Sequence, residues 1–225
     1  MIPESQADAR IAPIYKEYTD VETTILAGGG DIQLNLLCSK PSLEEAQKRV
    51  DELAGKIEEE LDDVIYSSQG EKLEQIVLFY LEMRGATLAV AESCTGGLLS
   101  ERLTSISGSS RSFLGGAVVY SNALKIDFAD VPEELIEEYG AVSHEVSEAL
   151  AKGIRRRTGA TFGVGITGIA GPGGATDTKP VGLVYLSITD GTHTEVLERR
   201  FTGDRDRIRL WASHQALDMI RRRLM

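Results

Sequence analysis

Three glycine-bearing segments hold the side chains that could carry out covalent chemistry. The first, residues 91–97 (AESCTGG), joins a predicted strand to a helix predicted over Thr95–Leu103, so Ser93 lies where the first helical N–H groups have no partner within the helix. Such amides could hold the oxyanion that forms when a carbonyl is attacked, and Gly96 and Gly97 would let a substrate approach the backbone. An ordinary helix N-cap would explain the same serine without catalysis.

The second segment, residues 119–125 (VYSNALK), places Lys125 near the start of a predicted helix. A cation is unfavourable there, and this position, like burial, would lower the lysine pKa and allow a neutral amine to act as a general base. A solvated surface lysine is the alternative. Two other nucleophiles stay open: Cys94, which the same helix terminus would activate, and Ser121, four residues before Lys125.

The third segment, residues 163–174 (GVGITGIAGPGG), matches the pattern G-x-G-x-x-G. Dinucleotide binding is rejected, because that motif opens a helix after a strand, whereas these glycines lie within a predicted strand and lead into a loop. The loop would suit the wall of a ligand pocket, or it is a plain connection. Near the C-terminus, Arg205, Arg207 and Arg209 crowd a helix start that disfavours cations, which indicates either a bound phosphate or a solvated charged face.

The elements that must position these residues fall into two predicted domains, residues 1–67 and 68–225. In the first, residues 1–20 are predicted to be irregular, a hairpin turns at residues 28–31, a helix follows Ser42 as N-cap, and residues 63–67 form a strand. This β-β-α-β unit is a small α+β domain. In the second, strands alternate with helices, which predicts an α/β fold: a three-layer α/β/α sandwich with a mixed sheet.

Composition excludes several classes of function. The net charge of −11 disfavours nucleic acid and anionic membranes as partners, and no apolar run approaches the roughly 20 residues that cross a bilayer. The N-terminus does not resemble a signal peptide, and the two cysteines are not expected to pair, so a cytoplasmic location is predicted. The three histidines stand apart from one another, so no metal site is predicted.

Five ordered blocks resemble one family. AESCTGG, VVYSNxxK, GITGIAGPGG, KPVGLVY and FxGDRD, in that order, resemble the C-terminal domain of the CinA (competence/damage-inducible) family, the nicotinamide mononucleotide deamidase (PncC-like) domain, from about residue 70 to the end. The first 67 residues resemble the family's KH-like linker domain. The family's N-terminal molybdopterin-binding-like domain is absent, so the chain is expected to be a fragment without the pyrophosphatase activity associated with that domain.

The resemblance implies hydrolysis of nicotinamide mononucleotide to nicotinic acid mononucleotide and ammonia. It implies Ser93 as nucleophile and Lys125 as base, with Tyr120 and Thr167 at the same site and backbone amides near Cys94–Gly96 as oxyanion donors. Residues expected to bind substrate are Cys94, Thr95, Gly96, Gly97, Asn122, Gly168, Gly171, Gly174, Arg205 and Arg207. No cofactor is expected. The resemblance also implies that the chain forms a homodimer.

Two other functions stay open. One is a nucleic-acid-associated competence or DNA-damage protein, against which the acidic charge counts, as does the position of Gly28–Gly30 in a hairpin rather than in a G-x-x-G loop between helices. The other is a non-catalytic partner protein. Retention of Ser93, Lys125 and Thr167 counts against it, and an assay of ammonia release separates the two cases.

Overall fold

The computed structural model describes residues 2–225 and separates them into two compact units. The first unit ends at Glu71 and the second runs from Lys72 to Met225, a few residues beyond the boundary predicted after residue 67. None of the helices within residues 2–225 combines the length and the apolar character needed to span a bilayer.

The first unit contains two helices and a hairpin. In order, these are α1 (Glu4–Tyr15), β1 (Val21–Gly28), β2 (Asp31–Cys38) and α2 (Leu43–Leu61). The predicted hairpin is confirmed: β1 and β2 are antiparallel, and Gly29 and Gly30 turn with φ of 62° and 96°, values that glycine adopts without strain. The predicted cap is confirmed as well, because Ser42 Oγ accepts a hydrogen bond of 3.2 Å from Glu45 N.

Two predictions for this unit are wrong. The stretch predicted to be irregular contains α1, which tolerates Pro3 at its N-cap and Pro13 in its last turn and packs Ile11 against the core residues of α2. The strand predicted at residues 63–67 is absent; a 3-10 turn, Asp62–Val64, ends α2 instead. The order is therefore α-β-β-α rather than β-β-α-β, and the KH-like assignment stays a prediction.

The second unit is an α/β sandwich around a five-stranded sheet. Its elements are α3 (Leu73–Met83), β3 (Leu88–Glu92), α4 (Leu98–Thr104), β4 (Phe113–Val118), α5 (Asn122–Ala129), α6 (Glu133–Tyr139), α7 (His144–Thr158), β5 (Phe162–Gly168), β6 (Leu183–Thr189), β7 (Thr194–Arg200) and α8 (Arg205–Leu224). The strand order is β4-β3-β5-β6-β7. Strands β4, β3 and β5 are parallel, whereas β6 and β7 are antiparallel to their neighbours. Helix α7 packs on the sheet together with α5 and α6, and α8 packs on it together with α3 and α4. The predicted three-layer sandwich with a mixed sheet is confirmed.

Close packing explains the glycines of β5. A Cβ at Gly163 would lie 2.2 Å from Ala151 O, and one at Gly165 would lie 2.4 Å from Ser147 O, both on α7. Since real Cβ atoms do not approach backbone oxygen so closely, these glycines allow the helix to lie against the strand. They lie at a sheet–helix interface within a strand, which agrees with the prediction that they do not form a dinucleotide-binding loop.

Strand directions bring distant segments together. The carboxyl ends of β3, β4 and β5 meet at one edge of the sheet, where ligands commonly bind in α/β folds. Because β7 is antiparallel to β6, and β6 to β5, β7 ends at this same edge and leads there into α8. The turns that follow β3, β4, β5 and β7 therefore converge.

Candidate active site

A cavity of about 270 Å³ opens where these turns converge. Predicted site residues that line it are Ser93, Cys94, Tyr120, Asn122, Lys125, Thr167, Gly168, Gly171, Gly174 and Arg205. Ile169, Ala170 and Gly173 also line it and belong to the loop that was expected to suit a pocket wall, whereas Ala141 and Val142 were not indicated by the sequence. Four predicted residues do not line it: Thr95, Gly96, Gly97 and Arg207.

Ser93 follows the last residue of β3. Its amide donates to Ile166 O of β5 at 2.9 Å, which continues the sheet pairing by one residue and fixes where the side chain begins. The residue is 7% exposed and borders the cavity. Within residues 2–225, no hydrogen bond joins Ser93 Oγ to Lys125 Nζ or to any other group. The hydroxyl is thus not held by the protein.

Lys125 is buried beside this serine-bearing turn. It is 2% exposed, and its Nζ donates to Val119 O at 3.0 Å and to Tyr120 O at 3.5 Å, the carbonyls that follow β4. Burial lowers the pKa of Lys125, although the nearby Cys94 opposes this shift. Within residues 2–225 the buried lysine has no carboxylate partner, so it can supply a neutral amine more readily than an exposed lysine.

Glu92 occupies the start of α4, a role that the sequence analysis missed. The carboxylate is fully buried and accepts from Gly97 N (3.1 Å), Leu99 N (3.0 Å) and Ser100 N (2.8 Å), and also from the Ser100 hydroxyl (2.7 Å). The expectation of free helical amides beneath the serine is therefore wrong at Gly97, Leu99 and Ser100. An acidic side chain just before a helix start was the available signal, since carboxylates stabilise that end.

The helix also begins later than predicted. We expected it from Thr95, but α4 starts at Leu98, because Gly96 and Gly97 adopt φ of 61° and 92° and turn the chain outside helical geometry. Gly96 N donates to Ser93 O at 3.1 Å, which closes a tight turn around the serine. Cys94 and Thr95 occupy the middle of this turn, ahead of the helix.

The two rival nucleophiles fit poorly. Burial raises the pKa of the Cys94 thiol to about 12, so the expected activation of this cysteine is wrong. Ser121 is exposed, caps α5 by accepting from Leu124 N at 3.2 Å, and does not line the cavity. Of the three nucleophiles considered, only Ser93 both lines the cavity and has a hydroxyl that makes no hydrogen bond within the described residues.

Hydrogen bonds hold two walls of the cavity. Arg205 donates to Tyr120 Oη and to Gly171 O, each at 2.7 Å, and so ties the turn after β4 to the loop after β5. Thr167 Oγ1 donates to Ala141 O at 2.6 Å, which holds the apolar segment that includes Val142. Arg205 therefore joins two of the motif-bearing segments, whereas Thr167 connects to a wall whose composition carried no recognisable motif.

The remaining arginines differ in their contacts. Arg207 is exposed and lies outside the cavity lining. Arg209 donates from Nε and Nη2 to Thr95 O, at 3.2 Å and 3.0 Å. Among residues 2–225, no group of three or more His, Cys, Asp or Glu side chains is arranged to hold a metal ion. What the cavity does present is a hydroxyl, a buried amine, backbone amides and an arginine at its rim.

Comparison with known proteins identifies relatives of the whole chain. The model of the CinA C-terminal domain matches residues 70–224. A CinA-like protein of Acidobacterium capsulatum is 73% identical over 225 residues, which are 100% of this chain and 54% of that protein. A CinA-like protein of Koribacter versatilis is 59% identical over 222 residues, again 54% of its length. The chain thus spans about half the length of the curated relatives it matches.

Solved structures resemble the second unit in particular. The competence/damage inducible protein CihA of Agrobacterium tumefaciens is 38% identical, with a TM-score of 0.64, over 69% of this chain and 95% of that chain. A CinA superfamily protein of Klebsiella pneumoniae is 29% identical, with a TM-score of 0.65, over 68% of this chain and 98% of its own. Because the domain model covers more than half of the chain and these proteins share both its sequence and its fold, this chain belongs to the CinA family.

Proposed function

We propose that the second unit is an amidohydrolase that converts nicotinamide mononucleotide and water to nicotinic acid mononucleotide and ammonia. Ser93 is the nucleophile and Lys125 the general base. The observation that carries the proposal is the cavity that joins a serine hydroxyl free of other hydrogen bonds to a buried lysine with a lowered pKa. A neutral amine paired with a serine is a known means of activating that nucleophile.

The hydrogen bonds of Lys125 suit the role of base. A neutral amine has two N–H donors and one lone pair, and Val119 O and Tyr120 O can take the two donors. The lone pair then remains for the Ser93 hydroxyl. Nucleophile–base contacts are often long in unliganded enzymes and shorten when substrate binds.

The proposed reaction has two halves. Ser93 Oγ forms a bond to the carboxamide carbon as Lys125 takes its proton, and the C–N bond then breaks as Lys125 returns that proton to the departing nitrogen. Ammonia leaves, and an ester to Ser93 remains. Water, deprotonated by Lys125, attacks the ester carbon, and the bond to Ser93 breaks as Lys125 returns the proton to Ser93 Oγ. The carboxylic acid that forms loses its remaining proton to solvent and leaves as the carboxylate.

Stabilisation of the oxyanion falls to the turn rather than to the helix. The amides of Gly97, Leu99 and Ser100 are bonded to Glu92, whereas those of Cys94 and Thr95 donate to no oxygen atom within the described part of the chain and are directed at the neutral sulfur of Cys94. We assign the oxyanion to these two amides. A donor of this kind contributes about 3 kcal/mol to stabilisation of the transition state.

The cavity walls suggest how the substrate would lie. Ala141 and Val142 provide an apolar surface for a flat pyridine ring near Ser93. Arg205, at the rim, has the guanidinium geometry that binds phosphate oxygens, and it could exchange Gly171 O and Tyr120 Oη for them. The carboxamide would then point inward and the phosphate outward.

Ammonia release from nicotinamide mononucleotide by the purified chain tests the proposal. Ser93→Ala should lower kcat by about 10³-fold or more while substrate still binds. The matched control is Ser107→Ala, at an exposed serine outside the cavity lining. Absence of ammonia release by the wild-type chain would reject the activity, and normal release by Ser93→Ala would reject the nucleophile.

A further inference from the structure

The turn that carries Ser93 needs anchors from outside helix α4. Gly96 and Gly97 both adopt positive φ, and regular helical geometry begins only at Leu98. Glu92 binds the amides from Gly97 onward, so its carboxylate secures the far end of the turn. The peptide between Thr95 and Gly96, opposite the serine, needs a different partner.

That partner is Arg209 of α8. Its Nε and Nη2 both donate to Thr95 O, at 3.2 Å and 3.0 Å, and the amide of the same peptide, Gly96 N, donates to Ser93 O at 3.1 Å. A forked guanidinium contact restrains orientation as well as distance. The plane of this peptide is therefore held from both sides, by an arginine distant in sequence and by the nucleophile's own carbonyl.

The side chain of Thr95 does not explain the geometry of the turn. It is fully buried, yet its hydroxyl has no hydrogen-bond partner in the described structure. The nearest neighbour of a Cβ built at Gly96 would be Arg209 Nη2, at 3.6 Å, so the arginine fits closely against this part of the turn. The backbone contact with Arg209, rather than a side-chain contact, holds the segment.

Helix α8 contacts all three turns of the site through one face. Arg205 and Arg209 are four residues apart and so lie on the same side of a helix. Arg205 contacts the turn after β4 and the loop after β5, and Arg209 contacts the turn after β3. The first turns of α8 thus set the relative positions of segments that come from three strands.

We propose that Arg209 is a positioning residue for the nucleophile. By holding the Thr95–Gly96 peptide, it fixes the direction of the Ser93 hydroxyl and of the Cys94 and Thr95 amides. The inference rests on the proposed function, since it concerns the same serine. Arg209 itself does not line the cavity, so its loss should slow the chemical step and leave substrate affinity almost unchanged.

The test compares Arg209→Met with Arg156→Met, a matched control at an exposed arginine on α7 whose one ion pair within residues 2–225 is to Asp130, at 3.7 Å. Two rates are measured: kcat for ammonia release, and labelling of Ser93 by a fluorophosphonate, followed by peptide mass mapping. We expect Arg209→Met to lower both rates by about 10- to 100-fold with KM within about threefold, since small misplacements of reacting groups have effects of this size. Arg209→Lys should recover part of the loss, because its ammonium group can still donate to Thr95 O but without the forked contact.

The outcomes separate this inference from the proposed function. If wild-type Ser93 is labelled but no ammonia is released, the proposed substrate fails, and the labelling rates still decide the role of Arg209. Equal rates for Arg209→Met and Arg156→Met would overturn the positioning role, as would a raised KM with unchanged kcat. Absence of Ser93 labelling in the wild-type chain would overturn both proposals. Fluorescence of Trp211, which lies in α8, checks that this helix is folded. If Arg209→Met is not folded, the rates of Arg209→Lys decide whether Arg209 positions the nucleophile.

Discussion

Replacement of Lys125 by methionine tests the proposed base most directly. Methionine keeps much of the length of the lysine side chain and fits a buried position, while it removes the amine. General base catalysis contributes about 10²- to 10⁴-fold, which corresponds to about 3–5 kcal/mol of activation free energy. We expect kcat to fall by that factor.

The difference in stability between this variant and the wild-type chain should depend on pH in a defined direction. Because burial lowers the pKa of Lys125 in the folded state, the unfolded chain binds more protons between the folded and unfolded pKa values, and the free energy of unfolding rises with pH through that window. Below the folded pKa, the wild-type chain bears the full cost of a buried charge. Lys125→Met removes this cost but also loses two hydrogen bonds, each worth about 1 kcal/mol. Relative to wild type, the variant should thus be most stable at low pH.

The assay is ammonia release over a series of pH values. Wild-type kcat/KM should rise with pH as Lys125 loses its proton, at a pH below the 10.5 of an ordinary lysine, and then level off. The matched control is Lys152→Met, at an exposed lysine of α7 that is paired with Glu148. Activity of Lys125→Met within threefold of wild type, with the rising limb retained, would refute the assignment of the base.

Three further perturbations probe the surroundings of the site. Iodoacetamide at pH 8 should not abolish the proposed ammonia release, because the buried Cys94 thiol stays protonated; loss of that activity with Cys94 as the modified residue would contradict this. Glu92→Gln should lower the free energy of unfolding by about 2–4 kcal/mol in urea, since an amide group would face N–H donors, and a change below about 0.5 kcal/mol would count against the cap. Gly165→Ala should lower it by about 1–3 kcal/mol, because a methyl group would overlap Ser147 O, whereas Gly55→Ala, with open space around it, should raise it slightly; equal effects would contradict the packing argument.

Much of the second unit could be predicted because its signals are local. Ser143 and Asp204 cap α7 and α8 through side-chain oxygens, as their positions before helical sequences indicated. Buried strands alternate with helices, which favours parallel pairing and a layered sandwich. Once β3, β4 and β5 are parallel neighbours, residues that follow each strand must meet at one edge. The topology of the sheet therefore explains why Ser93 and Lys125 lie at the same cavity.

The first unit was predicted less well because its signals compete. Pro3 and Pro13 suggested irregular structure, yet proline is compatible with a helix N-cap and the burial of Ile11 outweighs Pro13 near the end of α1. Val64 and Ile65 suggested a strand, but they pack against the core of the unit from a 3-10 turn and the residue after it. A short apolar run does not distinguish these cases.

Contacts between distant residues set the rest of the site, and they narrow the choice of oxyanion donors. The sequence predicted oxyanion donors at the start of a helix, but Glu92 places a buried carboxylate on the amides of α4 and so opposes the positive end of the helix dipole. In the proposed mechanism, the desolvated amine of Lys125 activates Ser93. The proposed oxyanion donors are the two amides in the turn, which Arg209 holds through Thr95 O. Neither Glu92 nor Arg209 touches the cavity, and together they account for the path of the chain that presents Ser93 to it.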